Sequence, residues 1–191
     1  MKGLWCYFRD GLTEEYCDLV SSWSKTVPAL KGKIGIDGGL KEDLSVRSST
    51  IRFIHNHECK ELDVVRDKLW LMMRQANNDF FQFNIHSLDF MQVAEYDESY
   101  EGFYNKHQDT FWLNNSHKHR KLTCIVQLTD PDEYEGGDIE LFDTYQYPPN
   151  DEIRRKGTVL FFPSFVYHQV NPVTKGKRES LTCWFEGPCW T

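Results

Sequence analysis

At 191 residues the chain is long enough to bury one sizeable core, and 40% hydrophobic with 15% aromatic residues describes a folded globule rather than a disordered segment. A formal net charge of -7 gives no general attraction to phosphate backbones or anionic lipid, so no nucleic-acid or membrane partner is expected. The six cysteines (Cys6, Cys17, Cys59, Cys124, Cys183 and Cys189) form no Cys-x-x-Cys pair, no secretory apolar segment precedes them, and no apolar run approaches the roughly 18 residues that span a bilayer; the expectation is a cytoplasmic protein with reduced thiols.

Thr13 before Glu14 and Glu15 is a helix-start signal with acids in the first turn, and Tyr16, Leu19, Val20 and Trp23 recur at helical spacing. This predicts a first helix that ends before Pro28. Residues 31–45 are charged and glycine-rich, with Asp37-Gly38-Gly39 as a turn signal, and read as a surface loop. Residues 49–54 predict a strand that Arg47 leads into. Over 58–76, Leu62, Val65, Leu69, Met72 and Ala76 fall at steps of three and four, the pattern of a longer second helix, with Trp70 and the methionines filling core.

From Phe81 the period changes to two, through Phe81, Phe83 and Ile85 and then Phe90, Gln92, Ala94 and Tyr96 against Met91, Val93 and Glu95. Further strands are predicted over 102–109, 121–129, 138–142, 158–163, 168–170 and 178–185. Short strands joined by Gly and Pro turns after a helical start predict a mainly β fold with flanking helices. Its core would be a double-stranded β-helix, or jelly roll, over about 81–187. With helical support over about 1–80, residues 1–191 form a single expected domain. Gly136-Gly137 reads as a tight turn, because no helix start follows it. The longer connections 110–120 and 143–156 are where a substrate-covering lid would lie. The compact basic run His117-Lys-His-Arg-Lys121 reads as a solvated loop, one that could orient an acidic peptide.

Chemistry concentrates in Tyr104-Asn-Lys-His107-Gln-Asp109. On a regular strand His107 and Asp109 project from one face about 7 Å apart, so an imidazole and a carboxylate can grip one cation. His168, in Phe161-Phe-Pro-Ser-Phe-Val-Tyr-His168, is the candidate third ligand of a two-His, one-carboxylate set, the set that suits non-haem Fe(II). Three ligands leave the other positions of such an ion open. His55 with His57, and His117 with His119, repeat the ligand-like spacing, but neither pair has a third ligand and a carboxylate-binding cation downstream, so packing or surface roles are expected.

The order of these motifs, from Tyr104 to Asp109, then Asp130-Pro-Asp-Glu-Tyr-Glu-Gly136-Gly137, then His168, then Pro172-Val-Thr-Lys-Gly-Lys-Arg178-Glu-Ser180, resembles a known family. It is that of the 2-oxoglutarate and Fe(II)-dependent oxygenases of the prolyl 4-hydroxylase type, especially the bacterial and phage-like branch. The resemblance covers roughly residues 88–187 and, more loosely, the N-terminal half. It implies Fe(II) on His107, Asp109 and His168, with 2-oxoglutarate as cosubstrate, O2 as oxidant and ascorbate as an admissible accessory reductant.

The far carboxylate of 2-oxoglutarate needs a cation in a dehydrated pocket, and Arg178, ten residues past His168, stands where the family keeps its basic residue. Ser180 completes an Arg-x-Ser pattern that contacts the cosubstrate. Tyr96 resembles the family tyrosine whose hydroxyl enters the active site, and Gln127 stands where some relatives place a tyrosine on the cosubstrate. Trp184 matches a tryptophan beside cosubstrate and substrate, while Thr123 and Ile125 share a strand face with Gln127. The implied activity is hydroxylation of a prolyl residue in a peptide or protein, coupled to decarboxylation of 2-oxoglutarate to succinate and CO2. Hydroxylation of a free amino acid or small metabolite, and a catalytically silent jelly roll that binds a peptide or ligand, are the competing readings. The sequence does not set the oligomeric state.

Overall fold

The computed structural model describes residues 1–36, 39–55, 59–112 and 117–190. Strand β1 (Cys6–Phe8) precedes helix α1 (Glu14–Ser24), whose inward side chains Cys17, Val20 and Ser24 recur every three or four residues. Thr13 has the extended backbone of an N-cap, but its hydroxyl makes no capping hydrogen bond, so the acids of the first turn supply the start signal.

The segment expected to be a loop is not featureless. It holds β2 (Leu30–Lys31), an isolated hairpin of β3 (Ile34–Ile36) and β4 (Gly39–Lys41), and β5 (Arg47–Ser48). Strands of two or three residues are too short to display a period, which is why the sequence hid them. Asp37 and Gly38 of the turn signal lie outside the described residues. Strand β6 (Thr50–Ile54) follows where a strand was expected.

A single 3-10 turn (Lys60–Leu62) leads into α2 (Asp63–Ala76), which buries Val65, Leu69, Met73 and Ala76. Met73, four residues on from Leu69, takes the inner position expected for Met72. The helix then widens into a π turn over Asn77–Phe81 and stops at Gln82, whose φ of 61 is left-handed. Phe81, Phe83 and Ile85 therefore do not begin a strand. The Asn77 side chain clamps the Phe83 backbone through both its N–H and its C=O at 2.8 Å, and Phe83 packs edge-on to Trp190 at 4.9 Å. The alternating aromatic residues pack in an irregular turn instead of a sheet.

The strands that build the barrel come next: β7 (Ser87–Asp97), β8 (Phe103–His107), β9 (Lys118–Gln127), β10 (Tyr134–Gly136) and β11 (Ile139–Leu141). After the short helix α3 (Asn150–Ile153) follow β12 (Val159–Pro163), β13 (His168–Val170) and the long β14 (Val173–Pro188). One sheet runs β1-β12-β9-β14-β7-β6-β2, with β10 attached to β14; a smaller one runs β11-β13-β8-β5. All pairings are antiparallel.

The large sheet separates two cores. Leu122, Cys124 and Val126 of β9 and Leu181, Cys183 and Phe185 of β14 face α1 and α2, while Ile125, Ser180, Thr182 and Trp184 face the small sheet. This is the expected mainly β fold with flanking helices, a double-stranded β-helix braced on its outer face. The space between the sheets is left for the site. Glycines 136 and 137 both have positive φ, 73 and 65, so they do form the tight turn before β11.

Candidate metal centre

Strands β8 and β13 pair so that His107 and His168 stand opposite each other, with ring centroids 4.1 Å apart. Asp109 is not on the strand. The chain leaves β8 after His107, and the backbone N–H groups of Asp109 and Thr110 both donate to the Ser164 carbonyl, at 2.9 and 3.1 Å. This corrects the expectation of two ligands 7 Å apart along one strand face. The turn folds the carboxylate back to 3.6 Å from Nε2 of His107 and 3.5 Å from Nε2 of His168. The three ligand atoms lie within 4.8 Å of one another, the one such cluster of three or more His, Cys, Asp or Glu among the described residues.

Each imidazole is oriented by its own backbone. Nδ1 of His107 lies 2.8 Å from the Asn105 carbonyl and Nδ1 of His168 lies 3.0 Å from that of Val166. A carbonyl only accepts, so Nδ1 carries a proton in both rings and Nε2 is the atom that each ring turns toward Asp109. Thr123 donates to Oδ2 of Asp109 at 2.8 Å and is 3.0 Å from the Ser164 hydroxyl. Burial, reinforced by His168, pushes the His107 pKa down, which keeps the ring neutral. Burial alone would raise the Asp109 pKa, but His168 and Arg120 outweigh it and hold the group below the usual carboxylate range. Two imidazoles and one carboxylate form a donor set for a divalent transition metal.

A cavity of about 900 Å3 opens beside this cluster. Tyr96, Ile125, Ser180 and Trp184, all picked out in the sequence, line it. Arg178 lies behind the lining and is 1% exposed. Its Nη2 donates to Oε1 of Gln127 at 3.0 Å, its Nη1 has no hydrogen-bond partner, and its guanidinium carbon is 5.5 Å from the Tyr96 ring centre. Gln127 thus holds the arginine, and Thr123 holds Asp109. A buried cation with an unpartnered donor is a cradle for an anion. Lys175, at 2.8 Å from Glu135, and Lys177, at 3.1 Å from Asp97, form ion pairs outside this pocket.

Tyr104 and Arg120 are among the lining residues that escaped the sequence. Tyr104 stacks on His107 with centroids 3.5 Å apart and planes 15° apart, and the Arg47 guanidinium sits 4.4 Å from the Tyr104 ring centre. Regular alternation placed Tyr104 on the opposite face from His107; the β13–β8 register shifts between His168 and Val170, and strict alternation fails there. Arg120 was read as part of a solvated basic loop. Residues 118–121 instead lie within β9, with His119 and Lys121 buried, and Arg120 reaches the cavity with its guanidinium 3.8 Å above the Trp184 ring. No other histidine joins the converging cluster among the described residues: His55 packs on Phe53 and Phe90, His119 accepts from the Trp190 N–H, and His57 lies outside them.

A jelly roll that presents two imidazoles and a carboxylate to a cavity, with a buried guanidinium behind its wall, defines the class of non-haem iron oxygenase barrels. Residues 91–186, just over half of the chain, match the family model of the 2OG-Fe(II) oxygenase superfamily, and the chain belongs to that superfamily. It is 28% identical over 150 residues to a PKHD-type hydroxylase of Aliarcobacter butzleri, a match covering 75% of this chain and 65% of the relative. A PKHD-type hydroxylase of Acinetobacter baylyi is 30% identical over 139 residues, 69% of this chain and 60% of the relative. The chain therefore spans less than two thirds of the length of these curated relatives.

Among solved structures, the fold is similar to the viral collagen prolyl hydroxylase of Paramecium Bursaria Chlorella virus-1 in complex with 2OG, with a TM-score of 0.70, 19% identity and 96% of each chain covered. A Trichoplax adhaerens prolyl hydroxylase in complex with a hypoxia inducible factor peptide gives a TM-score of 0.71 at 18% identity, covering 96% of this chain and 83% of the other. Superfamily membership brings Fe(II) and 2-oxoglutarate with it. The residues present fit both: the donor set suits the ion, and the unpartnered Nη1 of Arg178 suits a carboxylate. Among the described residues no helix is long and apolar enough to cross a membrane.

Proposed function

We propose that residues 1–191 form one oxygenase domain that hydroxylates a prolyl residue in a peptide or protein, with Fe(II) held by His107, Asp109 and His168. The observation that carries this reading is the convergence of those three ligand atoms beside a cavity whose wall conceals an unpartnered guanidinium. When bound, the iron supplies the coupling of O2 reduction to 2-oxoglutarate decarboxylation and C–H hydroxylation.

The protein's part is positioning and exclusion of water. Asn105 and Val166 fix the tautomers of the two histidines, and Thr123 fixes the carboxylate rotamer, so the ligand atoms face one point before any ion arrives. Three protein ligands are fewer than iron takes, which leaves room for the 2-oxo acid and O2. Arg178, steered by Gln127, binds the far carboxylate of 2-oxoglutarate, and Ser180 and Tyr96 line the same end. Trp184, Tyr104 and Phe90 give the acceptor an apolar, aromatic approach to the metal, suited to a pyrrolidine ring. The PKHD-type relatives support the hydroxylase part of this reading, and the solved neighbours named as prolyl hydroxylases support its proline part.

The test is succinate formation from 2-oxoglutarate with Fe(II) under air, against a panel of proline-containing peptides and free amino acids. Succinate that rises with a peptide, together with a product heavier by one oxygen atom on proline, is the expected result. Turnover with free amino acids alone would replace the peptide reading, and iron and cosubstrate binding with no turnover on any acceptor would favour a silent binding barrel.

A further inference from the structure

The cavity has a charge pattern that neither the metal nor 2-oxoglutarate explains. The chain carries a net charge of -7, yet the cavity lining holds Lys31, Lys33, Arg47 and Arg120 against Glu42 and Asp109. Glu42 is paired with Lys31 at 3.3 Å, and Asp109 belongs to the metal cluster. Arg178, assigned above to 2-oxoglutarate, is buried and is not counted among these lining cations. An acidic protein with a basic mouth is set up to draw in an anion.

Arg120 is the best-built of these cations. Its guanidinium carbon lies 3.8 Å from the Trp184 ring centre, with Phe111 at 5.2 Å and Phe90 at 5.6 Å, so three aromatic rings surround the fork. Nη2 donates to Oδ2 of Asp89 at 3.3 Å, an ion pair that anchors one corner of the five-donor group. Arg120 lines the same cavity as His107, Asp109 and His168. Arg120 therefore stands beside the aromatic approach, in the cavity of the three ligands but not among them.

We infer that Arg120 is a specificity residue that binds a side-chain carboxylate flanking the target residue, and that the acceptor is an acidic peptide. This rests on the peptidyl hydroxylase reading of the same site. The same carboxylate chemistry could come from the α-carboxylate of a free amino acid, but a cavity of about 900 Å3 exceeds what one amino acid fills beside 2-oxoglutarate, and its cations are spread from β2 through β5 to β9. An extended chain passing over the metal meets several of them.

The test is binding, read by fluorescence anisotropy under argon on the full chain loaded with Mn(II) and 2-oxoglutarate, so no turnover is needed. The probes are two fluorescein-labelled decapeptides with one central proline, flanked by Asp and Glu in one and by Asn and Gln in the other. The acidic peptide is expected to bind about tenfold tighter at low salt, with a gap that narrows as salt is raised. In Arg120→Gln the gap should fall to within about twofold, and Arg120→Lys should restore part of it. Equal or tighter binding of the amide peptide by the wild type, or an unchanged gap in Arg120→Gln, overturns the assignment. Free proline that competes fully with the acidic peptide overturns the choice of peptide as the source of the carboxylate. Selective acidic-peptide binding without an oxygenated product in air leaves this inference standing and removes the hydroxylase reading instead. A melting temperature for Arg120→Gln close to that of the wild type shows that a lost gap is not lost folding.

Discussion

Replacing Arg178 by Met separates cosubstrate binding from folding, because the two should move in opposite directions. In the protein without 2-oxoglutarate the guanidinium is 1% exposed and leaves Nη1 without a partner, so folding bears the cost of a poorly compensated buried charge. Methionine removes that charge and roughly fills its volume, at the expense of the Gln127 bond, worth about 1 kcal/mol. The ligand-free melting temperature should stay within a few degrees of the wild type or rise. For the cosubstrate the loss is large: removing one partner of a buried charge pair costs about 3–5 kcal/mol, or about two to four orders of magnitude in affinity.

The assay is thermal unfolding with Mn(II), with and without 2-oxoglutarate at about one hundred times the wild-type dissociation constant. Mass action then stabilises the wild type by about 2.7 kcal/mol, which at about 2–4 °C per kcal/mol is a rise of about 5–11 °C. The variant should show almost none of it. A full ligand-induced rise in Arg178→Met would refute the carboxylate role, and a collapse of the ligand-free melting temperature would show that Arg178 is a structural residue.

Thr123→Val keeps the shape of the side chain and removes the hydrogen bond to Asp109; metal affinity should fall about tenfold or more by titration, while Thr123→Ser retains most of it. Gly137→Ala forces a side chain onto a φ of 65 with its Cβ 2.9 Å from Val173 and 3.0 Å from Arg178, so urea unfolding should show a loss above about 1 kcal/mol together with weaker 2-oxoglutarate binding. Asp97 accepts from the Ser99 N–H at 2.9 Å and pairs with Lys177, and these contacts lower its pKa below 3.8. A carboxylate depressed in the folded state contributes stability above its unfolded pKa and loses it as pH falls through the folded value. Asp97→Asn should therefore cost up to about 1 kcal/mol at neutral pH, a difference that urea titrations find shrinking as pH falls through the acid range in which Asp97 takes up its proton.

Where the sequence was legible, one residue pattern had one physical solution. Ser180, Thr182 and Trp184 alternate with Leu181, Cys183 and Phe185, and only a strand between an apolar core and a functional cavity satisfies both sets. His168 was readable because His107 and Asp109 lack a third ligand and His168 follows them, after a hydrophobic strand and turn, in the motif order of the resembled family. The misses share another cause: long-range contacts overruled local pattern. Phe81 and Phe83 alternate like a strand, yet Asn77 and Trp190 hold them in a turn. Asp109 left its strand because its backbone found Ser164, distant in sequence. Arg120 looked like a solvated loop residue because its charges are consecutive, and nothing local announces that Trp184 lies beneath it. Tyr104 was lost to one register shift.

The most direct test of the account is anaerobic titration of the metal-free protein with Fe(II), followed by 2-oxoglutarate, for the wild type and for His107→Ala, Asp109→Ala and His168→Ala. The account predicts one ion per wild-type chain, 2-oxoglutarate binding that depends on that ion, and loss of both in each variant with the melting temperature preserved. Undiminished iron binding in any of the three would remove that residue from the site, and undiminished binding in all three would place the metal elsewhere and contradict the proposed centre.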